Sequence, residues 1–539
     1  MNKRAVLGPL LIAVATSGRL SAADNATLEL SLVDVQSGTS LPGVVQILDD
    51  GRPIELTELA NRGQGIEQQG PIHQWWVLPR ATRLSVPRRA LTIRAFAGLE
   101  TEMASEQIDL STREQAKLEV RLNRFYDARR GGRLAGNTHL HLMKLSKAQA
   151  DRYLAEVPLS DGLDIVFLSY LERAVADLDY TSNKYSRRDL DRLSHGHVHF
   201  GHGQEHRHNF GSHGEGYGHI LLLDIPYIIQ PVSIGPGIMR SGADAPPLQA
   251  GIDETRRAGG KVIWAHNQFG FEDIPNWVTG RVDANNIYDG SHRGSYKDTY
   301  YRYLDIGLSV PFSTGTDWFI YDFSRVYVQS ERAVTPTGWL ELLAAGRSWI
   351  TNGPLLEFTL DEKPLGSVIE LAGAGKVKAR AKALARLDFK RLELVHNGRV
   401  IHSTPSDKVG GHFAAQFELD VLIDQPAWLA VRTPPPPVPD DPIPTEPVAE
   451  NEFGGKLFSH TSPVYVHVDK RGVFRSEVAQ GLIDEMRSSV EKINEQAVFQ
   501  SEAERKRVLG VYDEAIGVLE RRIAEHAENR TQETPRRDE

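Results

Sequence analysis

The chain has 539 residues, of which 40% are hydrophobic and 25% are charged, and its formal net charge is −9. This length predicts about three or four domains of roughly 150 residues each, and the negative charge argues against nucleic acid as a partner. The chain contains no cysteine, which excludes disulfides and thiolate ligands. Any metal ion must therefore be held by His, Asp, Glu, backbone or water.

The first residues have the pattern of a secretory signal peptide. Lys3 and Arg4 supply positive charge, residues 5–15 are apolar, and Ser21-Ala22-Ala23 fits a cleavage site. The apolar stretch is short for a bilayer span, although an uncleaved anchor remains the alternative. We therefore expect a signal peptide over 1–23, a periplasmic or secreted protein, and no integral membrane segment after cleavage.

Residues 24–126 alternate between apolar and polar side chains, as at Leu28, Leu30 and Leu32, and Asp50-Gly51 is a turn signal. The pattern predicts an N-terminal β-sandwich. Its role is either to pack on the rest of the chain or to recognise a carbohydrate-like ligand.

Residues 127–350 alternate between short apolar strands and helical stretches. Strands are predicted at 163–168, 220–223 and 261–265, and a helix at Gln249–Ala258. Such alternation predicts an α/β domain with a largely parallel sheet, either open or closed as a barrel.

Residues 351–470 return to a β pattern, with a strong hairpin signal at Asn397-Gly398. This predicts a C-terminal β-sandwich. Residues 433–456 are rich in Pro, Asp and Glu, and we expect them to form an extended loop inserted in that domain.

Residues 471–539 are predicted to form a helical hairpin with a disordered tail over the last ten residues. Leu482, Ile483 and Met486 recur at helical spacing, and Ser501 with Glu504 forms a capping-box pattern. The apolar stripe is expected either to pack on the body of the protein or to form a homodimer through these helices.

Six residues of metal-ligand type lie where predicted strands run into loops. In Gly136–His141, two histidines are separated by one residue, so on a strand both imidazoles point to the same side. Imidazoles and carboxylates gathered in this way suit Zn²⁺, Mn²⁺ or Fe²⁺. The predicted metal ligands are His139, His141, Glu205, His219, His266 and Asp317.

Eight of the 19 histidines fall between His195 and His219, interleaved with glycine. This segment is expected to be either a metal-buffering loop or a site loop in which only a few residues bind the metal. Within it, Arg207 or His208 is a candidate donor to an oxyanion, and His208 is a candidate proton shuttle because imidazole titrates near neutral pH.

Taken in order, these motifs resemble those of the PHP (polymerase and histidinol phosphatase) superfamily, in particular its CehA/McbA branch, which includes carbaryl hydrolase. The resemblance covers roughly residues 127–360. It implies a distorted, seven-stranded (β/α) barrel with metal ions at the C-terminal ends of the strands, flanked here by the two β-sandwiches. It is carried by Gly136–His141, Gly203–His208, Gly218-His219, Ala265–Asn267, Gly315–Asp317 and Gly346–Pro354.

Typical members hold up to three metal ions, and this chain departs from that pattern. Leu168–Leu171 stands where a Thr-Asp-His usually follows the second strand, and Phe319 stands where a His is expected. The resemblance implies that the remaining ligands hold two ions, or one if the second binds weakly. His139, His141, Glu205 and Asp317 would surround the first ion; Glu205, His219 and His266 would surround the second.

These features predict an exported metal-dependent hydrolase that cleaves an ester, carbamate, amide or phosphoester bond in a small-molecule or glycan-like substrate. Glu205, Arg207 and His208 are its predicted catalytic residues. Two alternatives from other classes remain. One is a non-catalytic cell-surface or polysaccharide-binding scaffold that retains a structural metal site. The other is a metal-buffering protein built on the His-rich segment.

Overall fold

A computed structural model describes residues 25–173, 175–211, 216–266, 270–290, 294–330, 335–437 and 447–533. The predicted signal peptide and residues 438–446 of the predicted Pro-rich loop lie outside the described residues. The described chain is a mixed α/β protein with more strands than helices, in which a curled sheet is accompanied by several smaller sheets.

Two sheets form the N-terminal part of the chain. One contains β10, β1 and β2 with β7 paired to β1, and the other contains β5, β6, β3, β8 and β9 with β4 paired to β3. They share a core that includes Leu28, Leu30, Ile47 and Ile93. The strands are β1 Asn25–Asp34, β2 Ser40–Leu41, β3 Gly43–Asp49, β4 Arg52–Pro53, β5 Ala60–Asn61, β6 Trp76–Leu78, β7 Thr82–Pro87, β8 Ala90–Phe96, β9 Ala104–Asp109 and β10 Gln115–Leu122.

Strands and helices then alternate, as the sequence predicts. The elements are β11 Arg133–His141, α1 Lys147–Asp161, β12 Ile165–Tyr170, α2 Arg187–Leu193, β13 His199–His208, β14 Gly218–Leu223, β15 Ser233–Ile234, α3 Pro236–Met239, α4 Leu248–Arg257, β16 Lys261–Trp264, α5 Asp273–Val278, β17 Ala284–Asn286, α6 Arg302–Leu304, β18 Phe312–Ser313, β19 Asp317–Trp318, β20 Arg325–Gln329, α7 Pro336–Ala344 and β21 Ser348–Thr351.

The curled sheet is not uniformly parallel. Strands β11, β12 and β13 pair in parallel, but β14 runs antiparallel to both β13 and β16. The direction of β14 brings its first residues to the edge where β13 and β16 end. The His-rich segment also differs from the predicted loop, because His199–His208 is a strand.

The C-terminal strands extend the curled sheet, because β21 pairs with both β20 and β30. A separate sheet has the order β22-β24-β28-β27. The strands are β22 Leu355–Leu360, β23 Val368–Leu371, β24 Gly375–Ala385, β25 Arg391–His396, β26 Arg399–Pro405, β27 Asp407–Val409, β28 His412–Ile423, β29 Ala427–Arg432, β30 Ser459–Thr461 and β31 Val464–Val468.

The local turn signals are confirmed. Asn397 and Gly398 have φ of 47° and 82° between the paired strands β25 and β26. Both values are positive, as the two-residue hairpin predicted for Asn-Gly requires. Asp50 and Gly51 have φ of 49° and 75° between β3 and β4, which likewise fits the predicted Asp-Gly turn.

Two helices, α8 Ser476–Gln496 and α9 Glu502–Glu533, end the described chain. The Ser501 hydroxyl accepts from the backbone N–H of Glu504 at 3.2 Å, as the capping pattern predicts. The apolar stripe, including Ile483 and Met486, is buried against the body of the same chain. Helix α9 extends four residues into the predicted disordered tail. Among the described residues, no helix is both long and apolar enough to cross a membrane.

Candidate metal centre

The six predicted metal ligands come together at one edge of the curled sheet. His139 and His141 end β11, Glu205 lies on β13, and Asp317 begins β19, which pairs with β11. His219 lies at the start of β14, opposite Arg207 of β13, so the antiparallel direction of β14 brings it to the same edge. His266 follows β16.

At this edge of the sheet the backbone is strained and its segments lie close together. His266 and Asp317 have φ of 58° and 56°, a left-handed conformation that is costly for residues other than glycine. A Cβ at Gly315 would lie 2.5 Å from Cβ of His139, and a Cβ at Gly290 would lie 2.9 Å from Oδ2 of Asp317. Glycine at both positions therefore allows the ligand-bearing segments to approach each other.

A first donor group consists of His139, His141, Glu205 and Asp317, all of which are buried. Nε2 of His141 lies 3.0 Å from Nε2 of His139 and 3.0 Å from Oε2 of Glu205. Oδ1 of Asp317 lies 3.5 Å from Nε2 of His139 and 3.7 Å from Nε2 of His141. Tetrahedral ligands at ordinary Zn–N and Zn–O distances are roughly 3.3 to 3.4 Å apart. This group could hold a metal ion.

The Nδ1 hydrogen bonds of the two histidines determine which ring nitrogens face the group. Nδ1 of His141 lies 2.9 Å from the backbone oxygen of Ser169, which only accepts, so Nδ1 carries the proton and Nε2 keeps its lone pair. Nδ1 of His139 donates to Oδ2 of Asp289 at 2.8 Å. Two imidazole nitrogens and two carboxylate oxygens therefore converge as acceptors, and a cation or added protons must stabilise them.

A second donor group shares Glu205 with the first. Oε1 of Glu205 lies 3.3 Å from Nδ1 of His219 and 3.7 Å from Nε2 of His266. Nε2 of His219 donates to Oδ1 of Asn209 at 2.8 Å, which leaves Nδ1 as the nitrogen facing Glu205. Oε1 of Glu205 and Oδ1 of Asp317 are buried without hydrogen-bond partners among the described residues. Both oxygens are acceptors that a bound cation would satisfy.

The sequence interpretation did not single out Asp289, which contacts one histidine of each donor group. Its Oδ2 accepts from Nδ1 of His139 at 2.8 Å, and its backbone oxygen accepts from Nδ1 of His266 at 3.2 Å. Its Oδ1 lies 2.7 Å from the same nitrogen without hydrogen-bond geometry, so there the carboxylate contributes its charge. Contacts between a carboxylate and a ligand histidine are common around protein metal sites. The available signal was the short strand β17 followed by Asp289-Gly290, a strand-to-turn pattern like the one around Asp317.

The buried charges of the site raise the pKa values of two histidines and lower that of Glu205. Burial lowers the pKa of His139, but the carboxylates of Asp289 and Asp317 outweigh it and raise the pKa to about 10. His266 shifts the same way, well above its ordinary pKa. Burial raises the pKa of Glu205, but Arg207 and the histidines hold it well below the ordinary value. Protons therefore satisfy the acceptors when no cation is bound.

Arg207 and His208 lie on opposite faces of β13, because side chains alternate along a strand. Nη1 of Arg207 lies 3.4 Å from Oε1 of Glu205, so this guanidinium faces the metal ligands. His208 instead contacts Oδ1 of Asp244 at 2.8 Å, accepts from the backbone N–H of Tyr217 and stacks on the Tyr217 ring. This placement argues against the predicted catalytic role of His208.

Two of the candidate ligands reach solvent: the His266 side chain is 20% exposed and that of Asp317 is 12% exposed. An aromatic and a cationic residue lie near the first donor group. The Trp318 ring lies 5.0 Å from the His141 ring, and the guanidinium of Arg173 lies 5.5 Å from the Trp318 ring.

A cavity of about 840 Å³ lies away from the predicted metal ligands. It is lined by Arg133, Trp349 and Phe358, near the start of β11. His139 is six residues further along that strand, which corresponds to about 20 Å at 3.3 Å per residue. The cavity therefore lies at the other end of the strand from the metal centre.

No family model and no curated protein matches this chain. Among solved structures, the β-glucuronidase of Parabacteroides merdae is similar at 11% identity, with a TM-score of 0.15, over 79% of this chain and 60% of that one. The chain thus spans less than two thirds of that enzyme's length. A likeness this low carries no argument about fold or function.

Proposed function

We propose that the protein is a metal-dependent hydrolase whose centre is built from the two donor groups that share Glu205. The observation that carries the proposal is the convergence of buried imidazole nitrogens and carboxylate oxygens at ligand-to-ligand spacing. Divalent ions of the Zn²⁺, Mn²⁺ or Fe²⁺ type all suit His and carboxylate donors. The barrel architecture and the relation to the CehA/McbA branch are part of the same proposal, because the motifs that resemble that family supply these donors.

A divalent ion bound here would supply a Lewis acid that acidifies a water molecule and polarises a substrate oxygen. The side chains of the site would hold the ions and stabilise the developing charge. Glu205 would serve both donor groups, because its Oε2 lies in the first and its Oε1 in the second. Arg207 would donate to the oxygen on which negative charge develops, because its Nη1 already lies beside Glu205. That charge develops on the carbonyl oxygen when an ester, carbamate or amide is attacked, whereas the phosphoryl oxygens of a phosphoester are already negative.

A scaffold with a structural metal site is the alternative. A purely structural site has four protein ligands and no open position, whereas the second donor group offers only Glu205, His219 and His266. This open position favours the hydrolase.

A panel of chromogenic carboxyl esters, carbamates and phosphoesters tests the proposal. We expect turnover that is lost on chelation and restored by Zn²⁺ or Mn²⁺. Tight metal binding without turnover of any substrate would favour the scaffold. The panel also decides between carbonyl and phosphoryl substrates.

A further inference from the structure

The segment Asp317–Ile320 joins the metal centre to the N-terminal β-sandwich. Asp317 and Phe319 both have left-handed backbone conformations, with φ of 56° and 58°. Two such residues in a four-residue segment persist only when the surroundings hold the backbone in place. One side of the segment is held by β11, since the N–H of Phe319 donates to the carbonyl of His141 at 3.0 Å.

The other side is held by Arg62, which directly follows β5 of the N-terminal sheets. Its side chain is fully buried, and its Nη1 donates to the carbonyl of Ile320 at 2.5 Å. Nε and Nη2 of the same guanidinium donate to the two oxygens of Asp161, at the end of α1. The planar guanidinium thus fixes the position of the Ile320 carbonyl relative to two other elements.

Two further contacts restrain the segment. The hydroxyl of Tyr153, on α1, accepts from the N–H of Ile320 at 2.8 Å. A Cβ at Gly65 would lie 2.3 Å from the Phe319 ring, so the backbone after Arg62 packs directly on that ring. The segment therefore has few alternative positions while these contacts are intact.

We infer that Arg62 is a positioning residue for the metal ligand Asp317, and that the N-terminal β-sandwich completes the metal centre instead of serving as a separate binding module. The inference rests on the proposed function, because it assigns Asp317 to a metal ion. Without the hydrogen bond from Arg62 to the Ile320 carbonyl, the strained segment 317–320 would relax. The Asp317 carboxylate would then move away from His139 and His141.

The test is Zn²⁺ affinity, measured by competition with a chelating dye, in the full-length Arg62→Lys variant. Lysine keeps the charge but lacks the planar fork that makes two bonds to Asp161 and a third to the Ile320 carbonyl. Tyr153→Phe is the second variant; it removes the acceptor for the Ile320 N–H and the contact of that hydroxyl with Arg62, so it serves if Arg62→Lys fails to fold. We expect both variants to weaken Zn²⁺ binding about tenfold or more, as changes around metal ligands do.

Arg386→Lys is the matched control. Arg386 is also a buried arginine that bridges separate parts of the chain, donating to the carbonyls of Gly98 and Thr101 and to Glu452. None of these partners belongs to the segment 317–320. Arg386→Lys should lower the melting temperature of the chelated protein as Arg62→Lys does, yet bind Zn²⁺ like the wild type.

Wild-type affinity in both Arg62→Lys and Tyr153→Phe would overturn the inference. An equal loss of affinity in Arg386→Lys would also overturn it, because the sandwich would then act only through general stability. If the wild type itself bound no Zn²⁺, the proposed function would fail together with the inference. Measuring the wild type first therefore separates the two failures.

Discussion

Nδ1 of His139 donates to Oδ2 of Asp289 at 2.8 Å, across a separation of 150 residues in sequence. The backbone oxygen of Asp289 accepts from Nδ1 of His266 at 3.2 Å, and its Oδ1 lies 2.7 Å from the same nitrogen. Although burial lowers the pKa of both histidines, the negative charge of Asp289 helps to raise it. In the proposed centre, Asp289 would therefore position a histidine of each donor group.

Asp289→Asn should weaken metal binding about 10- to 100-fold, because the neutral amide removes the negative charge that lies beside both histidines. Dye competition would measure the affinity. Asp244→Asn is the control, since Asp244 is a buried carboxylate that contacts His208 away from the donor groups. Equal metal affinity in Asp289→Asn and the wild type would contradict the assigned role.

Substitutions of different ligands should remove different numbers of metal ions. His219→Ala deletes a donor of the second group only, so the purified variant should retain about one ion where the wild type holds about two. Glu205→Ala removes the residue that both groups share, so it should retain none and lose activity. Elemental analysis after gel filtration measures both. Two ions in Glu205→Ala would rule out the bridging position of this carboxylate.

The stability of the chelated protein should fall as the pH rises. His139 has a pKa of about 10 in the folded protein against an ordinary 6.5. Its protonation therefore stabilises the fold fully below pH 6.5, and that stabilisation is lost as the pH rises through 10. His266 shifts in the same direction. Bound metal replaces these protons, so the loaded protein should lose less stability.

Melting temperatures of chelated and Zn²⁺-loaded protein, compared between pH 6.5 and 10, measure this difference. A chelated protein whose melting temperature rises relative to the loaded form over this range would contradict the predicted charge state of His139.

Arg207 and His208 should respond differently to substitution. Arg207→Met should lower kcat about 100-fold, the typical effect of removing an oxyanion donor, while metal content stays at the wild-type level. His208→Gln should lower the melting temperature, because it disturbs contacts with Asp244 and Tyr217, but leave kcat close to the wild-type value. Steady-state kinetics on the same substrate measures kcat for both variants. A larger kcat effect at His208 would restore it as the proton shuttle.

The sequence predicted the local features of this molecule better than its long-range ones. The Asn397-Gly398 hairpin, the helix α4 and the Ser501 cap follow from propensities within a few residues. The antiparallel direction of β14 does not, because it depends on pairing with β13 and β16, and the continuation of the sheet from β21 into β30 joins residues that are far apart in the sequence.

The six metal-ligand candidates could be predicted because their residue types and strand-end positions are visible in sequence. For Asp289 the sequence offered only a strand-to-turn pattern, since its partners lie on other strands. The face that His208 occupies could have been predicted. His208 is three residues from Glu205, so on a strand it must point to the opposite face, but the His-rich segment was interpreted as a loop.

The most direct test of the proposed metal centre is the metal content of the purified wild-type protein, measured by elemental analysis after dialysis. We expect about two tightly held divalent ions per chain, removed by a strong chelator together with activity. No bound metal would contradict the proposed centre. So would a metal content far above two ions per chain, which would point to buffering by the His-rich segment.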